Sequence, residues 1–313
     1  MTINTIKPPA VDPQRRRGLA PGVMLSIGLM LLLLTVAGTA QAILIRHDTG
    51  YTRYVANEAD YPSVFYLHRN QHRRVCVATL ITPQWAITAA HCTHETPLLD
   101  TLEAEGRYPV TIAGQSAAIA RVHWHPYYPE APAGKGPDVD LALLRLEQPL
   151  RMPRPMPLYR DHDELGQVVT FLGWGFHGLG RGGRYRDDGR FRFAHNTVVE
   201  ADLRLRFVFD DPREPGSAAL PFEGVPGLGD SGGPALIRSD QGYAIAGVAV
   251  GEVSGPQSAA RQGLYGAEFV YERVSRHQAW IEQTISGGPV AGAGLTEASS
   301  PDSSSAAVTT GGQ

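Results

Sequence analysis

The sequence predicts an all-β fold, a barrel or sandwich closed by one C-terminal helix. Three observations carry this. Short apolar or alternating runs recur: VTIAG (Val110–Gly114), AAIARVHW (Ala117–Trp124), LALLRL (Leu141–Leu146), QVVTFLGWG (Gln167–Gly175), RLRFVF (Arg204–Phe209) and YAIAGVAVG (Tyr243–Gly251), with Gly, Pro and Asp clusters between them. The chain holds 35 Gly and 24 Pro among 313 residues, which favours many turns over long helices. Convincing helical periodicity is confined to one segment near the C-terminus.

The first element is a leader. Arg15, Arg16 and Arg17 precede an almost wholly apolar run, Leu19 to Ala37, and Ala40-Gln41-Ala42 follows. Basic, apolar, then A-x-A is the order of a secretory signal peptide, here residues 1–42. The alternative is an uncleaved anchor, since the apolar run approaches the roughly 20 residues that span a bilayer. Pro21, Gly22 and Ser26 weaken its first half. The arginines also suit a twin-arginine route, which the surrounding residues fit poorly. The expectation is a secreted or periplasmic protein whose mature chain starts at Ile43, with no stable membrane association once cut. Cys76 and Cys92, an even count in an exported chain, predict one disulfide.

The strands follow, over a domain running from Ile43 to Ser286. The continuous apolar runs suggest burial on both faces. Phe176–Arg192 is a Gly- and Arg-rich interruption and reads as a solvated loop. Asp187 and Asp188 in it, and a net charge of −3, argue against nucleic acid as a partner. The segment Arg273–Ser286 puts Val274, Ile281 and Ile285 on one side, with Trp280 beside them. Ser275 and Gln278 have capping-box spacing. A lone helix ending an all-β chain must dock that stripe on the sheets. Residues 287–313 carry no aromatic side chain and only Glu297 and Asp302 as charges, so they read as a disordered tail.

Three strings carry chemistry: TAAHC (Thr88–Cys92), DLALL (Asp140–Leu144) and GDSGGP (Gly229–Pro234). A serine hydroxyl becomes a nucleophile only when a neighbouring base takes its proton. Glycines beside Ser231 allow an unusual turn and close substrate approach. In such a turn the amides of Gly229 and Ser231 can converge as an oxyanion hole. The base must titrate near neutrality, which selects histidine, and His91 is the candidate. His123 and His125 flank Trp124 in an H-x-H pattern, but no further Cys, His or carboxylate cluster completes a metal site, so they read as structural. No metal or cofactor is expected. A carboxylate must orient the imidazole. Asp140 opens an apolar strand and is favoured for this; Asp138, pointing to the same face, is its rival.

Taken together and in this order, the three strings resemble the trypsin/chymotrypsin family of serine endopeptidases. The order histidine, aspartate, serine differs from that of subtilisins and α/β-hydrolases. VCVATLITPQWAITAAHC (Val75–Cys92), HPYY (His125–Tyr128), GWG (Gly173–Gly175) and FVYERVSRHQAWI (Phe269–Ile281) extend the resemblance from Ile43 to about Ser286. It implies two six-stranded antiparallel β-barrels with a C-terminal helix and a catalytic cleft between them. It implies His91 as base, Asp140 as its orienter, Ser231 as nucleophile, and the Gly229 and Ser231 amides as oxyanion hole. It also implies a Cys76–Cys92 bridge in the first barrel and a protein or peptide substrate; a monomer is expected, although the sequence itself gives no oligomeric state.

The departures are informative. Relatives commonly have three or more disulfides; here Gly227 stands where a cysteine is common. In the family the floor of the primary specificity pocket lies six residues before the nucleophile, which is Val225 here, and this implies an apolar or small residue before the scissile bond. Val250, Gly251 and Glu252 stand where relatives carry Ser, Trp and Gly. The lost serine removes a hydrogen bond to the triad aspartate. Glu252 would favour a cationic group, against the Val225 argument, and Phe269 would narrow the pocket. The alternative function is an inactive scaffold that only binds; the intact triad argues against it, and Val250 is the feature that favours it. Finally, the family needs a free N-terminal ammonium to pair with the aspartate before the nucleophile. Here that pair would be Ile43 and Asp230, so the cut by signal peptidase would itself activate the enzyme.

Overall fold

Short strands rich in buried β-branched and aromatic residues build two curled antiparallel sheets. The computed structural model describes residues 43–70, 73–130, 138–182, 188–253 and 263–287. The leader before Ile43, Asp187 in the Gly/Arg-rich loop, the end of the Gly247–Gly255 segment and the tail beyond Gly287 lie outside the described residues.

Strand β1 (Leu44–Ile45) precedes the first sheet, which comprises β2 (Val64–Asn70), β3 (Arg73–Thr82), β4 (Trp85–Thr88), β5 (Tyr108–Ile112), β6 (Gln115–Trp124) and β7 (Ala142–Leu146). Their order is β2-β3-β4-β7-β6-β5. Period-two patterning is plain in β5, where Tyr108, Val110 and Ile112 are buried and Pro109 and Thr111 exposed. The sheet's two edges meet: the Tyr108 hydroxyl on β5 donates to the His68 carbonyl on β2 at 3.0 Å and accepts the His68 N–H at 3.2 Å. That contact closes the curl.

Two helices sit between β4 and β5. Helix α1 (Cys92–Glu95) follows His91 directly, and α2 (Leu98–Glu105) follows Pro97. Neither was expected. Pro97 before α2 and Gly106 after it are the ordinary punctuation of a helix, and Gly106 ends it in the left-handed region at φ 73°. The segment is short and its stripe, Leu98, Leu99 and Leu102 against the first core, is narrow enough to escape a search for long periodicity.

The second sheet uses β8 (Val168–Gly173), β10 (Arg192–Thr197), β11 (Glu200–Ala201), β12 (Arg204–Val208), β14 (Pro234–Ser239), β15 (Gly242–Glu252) and β16 (Glu268–Arg273); β9 (Gly178–Leu179) and β13 (Gly224–Val225) flank β1 in a small third sheet. The order is β10-β8-β14-β15-β16-β12-β11, so a two-residue strand brings the sheet to seven. Asn196 on β10 donates to the Val208 carbonyl at the end of β12 at 2.9 Å and curls the sheet on itself. Phe171, Phe207 and Tyr271 fill the interior, with Phe171 centred 4.9 Å from each of the others. The all-β, two-barrel expectation is met.

Helix α3 (Gln278–Ser286) is the last element among the described residues, as expected, with Trp280 and Ile281 buried in the first-sheet core beside Val274 of the preceding turn, and Ile285 packed on it. The expected capping box does not form. The N-cap is His277, and a 3-10 turn, Val274–Arg276, comes first. The Ser275 hydroxyl instead donates to Glu164 at 2.6 Å, and Glu164 is also gripped by Arg273 at 2.5 Å. A fully buried carboxylate needs every donor it can reach, and that demand outweighs a helix cap.

Candidate active site

His91 ends the turn after β4, where Cys92 starts α1. Cys92 is bonded to Cys76 on β3, with Cα atoms 5.8 Å apart, so the disulfide ties the residue next to the imidazole to the barrel wall. Asp140 approaches from the segment just before β7, a strand paired to β4 through Thr88 and Ala142. The contact has two points. The His91 N–H donates to Asp140 Oδ1 at 2.8 Å, and His91 Nδ1 lies 2.5 Å from Oδ2. A hydrogen on Nδ1 leaves the Nε2 lone pair outward as a proton acceptor. Burial by itself would lower the pKa of His91, but the hydrogen bond and charge of Asp140 raise it overall. Asp138 is exposed and does not share this contact.

The serine turn is built from glycines for steric reasons. Its internal bonds run from Asp230 N–H to the Gly227 carbonyl at 3.0 Å and from Gly233 N–H to the Asp230 carbonyl at 2.9 Å. Gly229 and Gly232 take φ values of 98° and 75°. A Cβ on Gly232 would lie 2.2 Å from Thr88 Oγ1 and 3.1 Å from the Ala89 nitrogen. The turn therefore packs on the same Thr88–Ala89 backbone that leads to His91. The Ser231 carbonyl accepts the Val77 N–H at 2.8 Å, which joins the turn to β3.

Asp230 is the most constrained acid of the turn. It is 1% exposed, and its carboxylate accepts the N–H groups of Gly175 at 2.8 Å, Gly227 at 3.1 Å and also Ile43. Burial pushes its pKa up to about 6 despite these donors. The structure thus brings Ile43 and Asp230 together. β1 carries Ile43 there through pairings Leu44↔Val225 and Leu44↔Gly178.

The sequence-predicted pocket residues also converge. Val225 and Phe269 are both buried, in one apolar cluster with Leu44, Phe209 and Ala267. Glu252 is the cross-strand partner of Phe269, and both its carboxylate oxygens lie 3.2 Å from the Gly263 N–H. Burial raises its pKa. Val250 sits where the register between β15 and β16 shifts. His125 lies edge-on to His277 and Trp280, each centred 4.8 Å away, and burial drives its pKa down to about 4; His123 packs on Trp85. Among the described residues the one tight group of metal-type ligand atoms is Cys76, His91 and Cys92, whose sulfurs are bonded to each other.

Sequence reasoning missed Glu272. This glutamate on β16 accepts the Asp140 backbone N–H at 2.9 Å through Oε1. Its position inside the apolar string FVYERV was the available signal, but its partners lie far away in sequence.

The family model for trypsin matches residues 49–203, which include His91 and Asp140 and stop short of Ser231. A trypsin of Saccharopolyspora erythraea is 29% identical over 244 residues, covering 75% of this chain and 97% of that protein. An uncharacterized peptidase of Corynebacterium glutamicum (strain R) is 30% identical over 213 residues, 66% of this chain and 62% of that one. The suppressor of tumorigenicity 14 protein homolog of Bos taurus is 25% identical over 248 residues, 74% of this chain and 27% of its own length. Together, the two curled antiparallel sheets and these matches support a serine-type endopeptidase of the trypsin-like serine protease family.

Proposed function

We propose that this protease is exported and cleaves peptide bonds through His91, Asp140 and Ser231, after apolar or small residues. The observation that carries the assignment is the two-point contact of Asp140 on His91, which aims one imidazole nitrogen away from the carboxylate. Ser231 Oγ attacks the scissile carbonyl carbon as His91 Nε2 takes its proton. The C–N bond then breaks as the imidazolium protonates the leaving amine, and the acyl group stays on Ser231. Water, deprotonated by His91, releases it in the second half. Asp140 holds the imidazole and stabilises its charged form. The Gly229 and Ser231 amides bind the oxyanion, and losing one such donor costs about 2.7–4 kcal/mol.

Val225 and Phe269 support the preference for a small or apolar residue, because both are apolar and belong to one buried cluster that offers no charge to a cationic side chain. Glu252 is engaged by the Gly263 amide, which weakens the case for a cationic substrate group. Residues 1–42 serve as a cleaved leader and 287–313 as a tail. Cleavage after Ala42 turns the Ile43 amide, already bonded to Asp230, into an ammonium that pairs with it, so export and activation are one cut.

A serine-reactive fluorophosphonate tests the chemistry. Intact mass should rise by one adduct on Ser231, and the adduct should vanish in His91→Ala. A folded protein that takes up no label would instead be the inactive binding scaffold. Sequencing the N-terminus of active enzyme tests the activation step, and a start other than Ile43 would refute it.

A further inference from the structure

Asp140 belongs to no strand; the backbone from Asp138 to Leu141 is irregular and leads into β7. Two side chains of the second sheet grip it. Glu272 on β16 accepts the Asp140 N–H at 2.9 Å, and Arg204 on β12 donates through Nη2 to the Asp138 carbonyl at 3.0 Å. The grips are coupled, because Arg204 and Glu272 are directly opposed across the β12–β16 ladder. Arg204 Nε and Nη2 lie 2.9 and 2.7 Å from the same Glu272 Oε1 that holds Asp140.

The Glu272 side chain is 2% exposed and that of Arg204 32%. A carboxylate so deeply buried is costly unless paired and hydrogen-bonded. Burial would raise the pKa of Glu272, yet His277, Arg204 and the Asp140 amide hold it below the usual carboxylate range. His277 Nε2 stands 3.7 Å from Oε2 on the far side. Such a group is expensive to keep where an ordinary core residue would fill the space. Val250, meanwhile, has no hydroxyl to offer Asp140.

We propose that Glu272, braced by Arg204, is a positioning residue for Asp140, fixing from the second sheet the backbone that carries the carboxylate and so replacing an orienting hydroxyl at position 250. The proposal rests on the triad reading above. Glu272 touches neither substrate nor imidazole; it acts through Asp140. Without it the segment before β7 loses its anchor, the carboxylate leaves its two-point contact, and the imidazole loses its orientation. That loss falls on the transition state rather than on substrate binding.

The test compares Glu272→Ala, Glu272→Gln and Arg204→Met in the full chain, processed as the wild type is. Steady-state kinetics on a peptide substrate and the low-field proton resonance of His91 Nδ1 are both read. For Glu272→Ala, kcat should fall about 10- to 100-fold, the size of one hydrogen bond to a charged group, with KM within about twofold. The Nδ1 proton should move or broaden. Glu272→Gln keeps an oxygen that accepts the Asp140 N–H and should recover most of the loss. A folded Glu272→Ala variant with unchanged kcat and resonance overturns the proposal, as does a loss confined to KM. A Gln variant as impaired as the Ala variant also overturns it. Should Glu272→Ala not fold, Arg204→Met carries the test, and an unchanged kcat there is the refuting result. If the wild type takes no fluorophosphonate label, the triad reading has failed, and the Nδ1 resonance alone still decides whether Glu272 orients Asp140.

Discussion

The backbone N–H of Ile43 donates to the carboxylate of Asp230, the residue just before Ser231. In the uncut chain this donor is a neutral amide, and the Asp230 pKa stands at about 6 against an ordinary 3.8. A carboxyl whose folded pKa is raised contributes stability below its unfolded pKa and loses it as pH climbs through the folded value. The shift corresponds to about 3 kcal/mol. A chain carrying one extra residue before Ile43 should therefore lose about that much stability between pH 4 and pH 7, relative to a chain starting at Ile43. Paired denaturant titrations across that range read the difference, and parallel curves would exclude it.

Gly173 is predicted to tolerate no side chain. A Cβ there would lie 1.9 Å from Asp230 Oδ1, in a site with no room to yield. Gly173→Ala should cost about 1–3 kcal/mol or more in unfolding free energy and should disturb the serine turn, so labelling of Ser231 slows as well. Gly114→Ala is the control: it has open space around it and only the strain of a left-handed φ of 75°.

The pH profile should report His91. In the proposed mechanism His91 must be neutral to act as base, and Asp140 raises its pKa against the lowering effect of burial. Activity is thus present above that pKa and lost as pH falls through it, with the acid limb of kcat/KM above the ordinary histidine value of about 6.5. Asp140→Asn should lower kcat by about 10^4-fold, because the imidazole then adopts the wrong tautomer. An acid limb at or below the ordinary value would contradict the pairing.

Specificity should change when the apolar cluster is opened. Phe269→Gly removes a ring from the buried cluster that also holds Val225. Cleavage after large apolar residues should then rise at least about tenfold relative to cleavage after alanine, the scale of added apolar contact in a pocket. A peptide library profiled on both enzymes measures this. An unchanged profile would mean that Phe269 does not line the pocket.

Much of the fold and site was legible because it is locally encoded. The strings around His91, Asp140 and Ser231 name the candidate site residues, of which His91 and Asp140 are in direct contact, and glycines at 229 and 232 announce a turn that L side chains would strain. The strands and α3 follow from apolar periodicity, and a count of two cysteines suggests their own pairing. Helix α2 was missed because its eight residues give too few turns to show a period. Ser275 has the right spacing for a cap, yet Glu164 arrives from a distant segment and takes its hydroxyl.

The sequence by itself determined which residues have the chemistry of a serine endopeptidase and that short apolar strands would carry them. Only the tertiary structure decided who partners whom among the buried charges: Glu272 with Arg204 and the Asp140 amide, Glu164 with Arg273 and Ser275, Asp230 with Ile43, Gly175 and Gly227. The reason is physical. Propensity and hydrophobic period act over neighbouring residues, whereas a buried charge must be paired by whatever groups folding brings within about 3 Å.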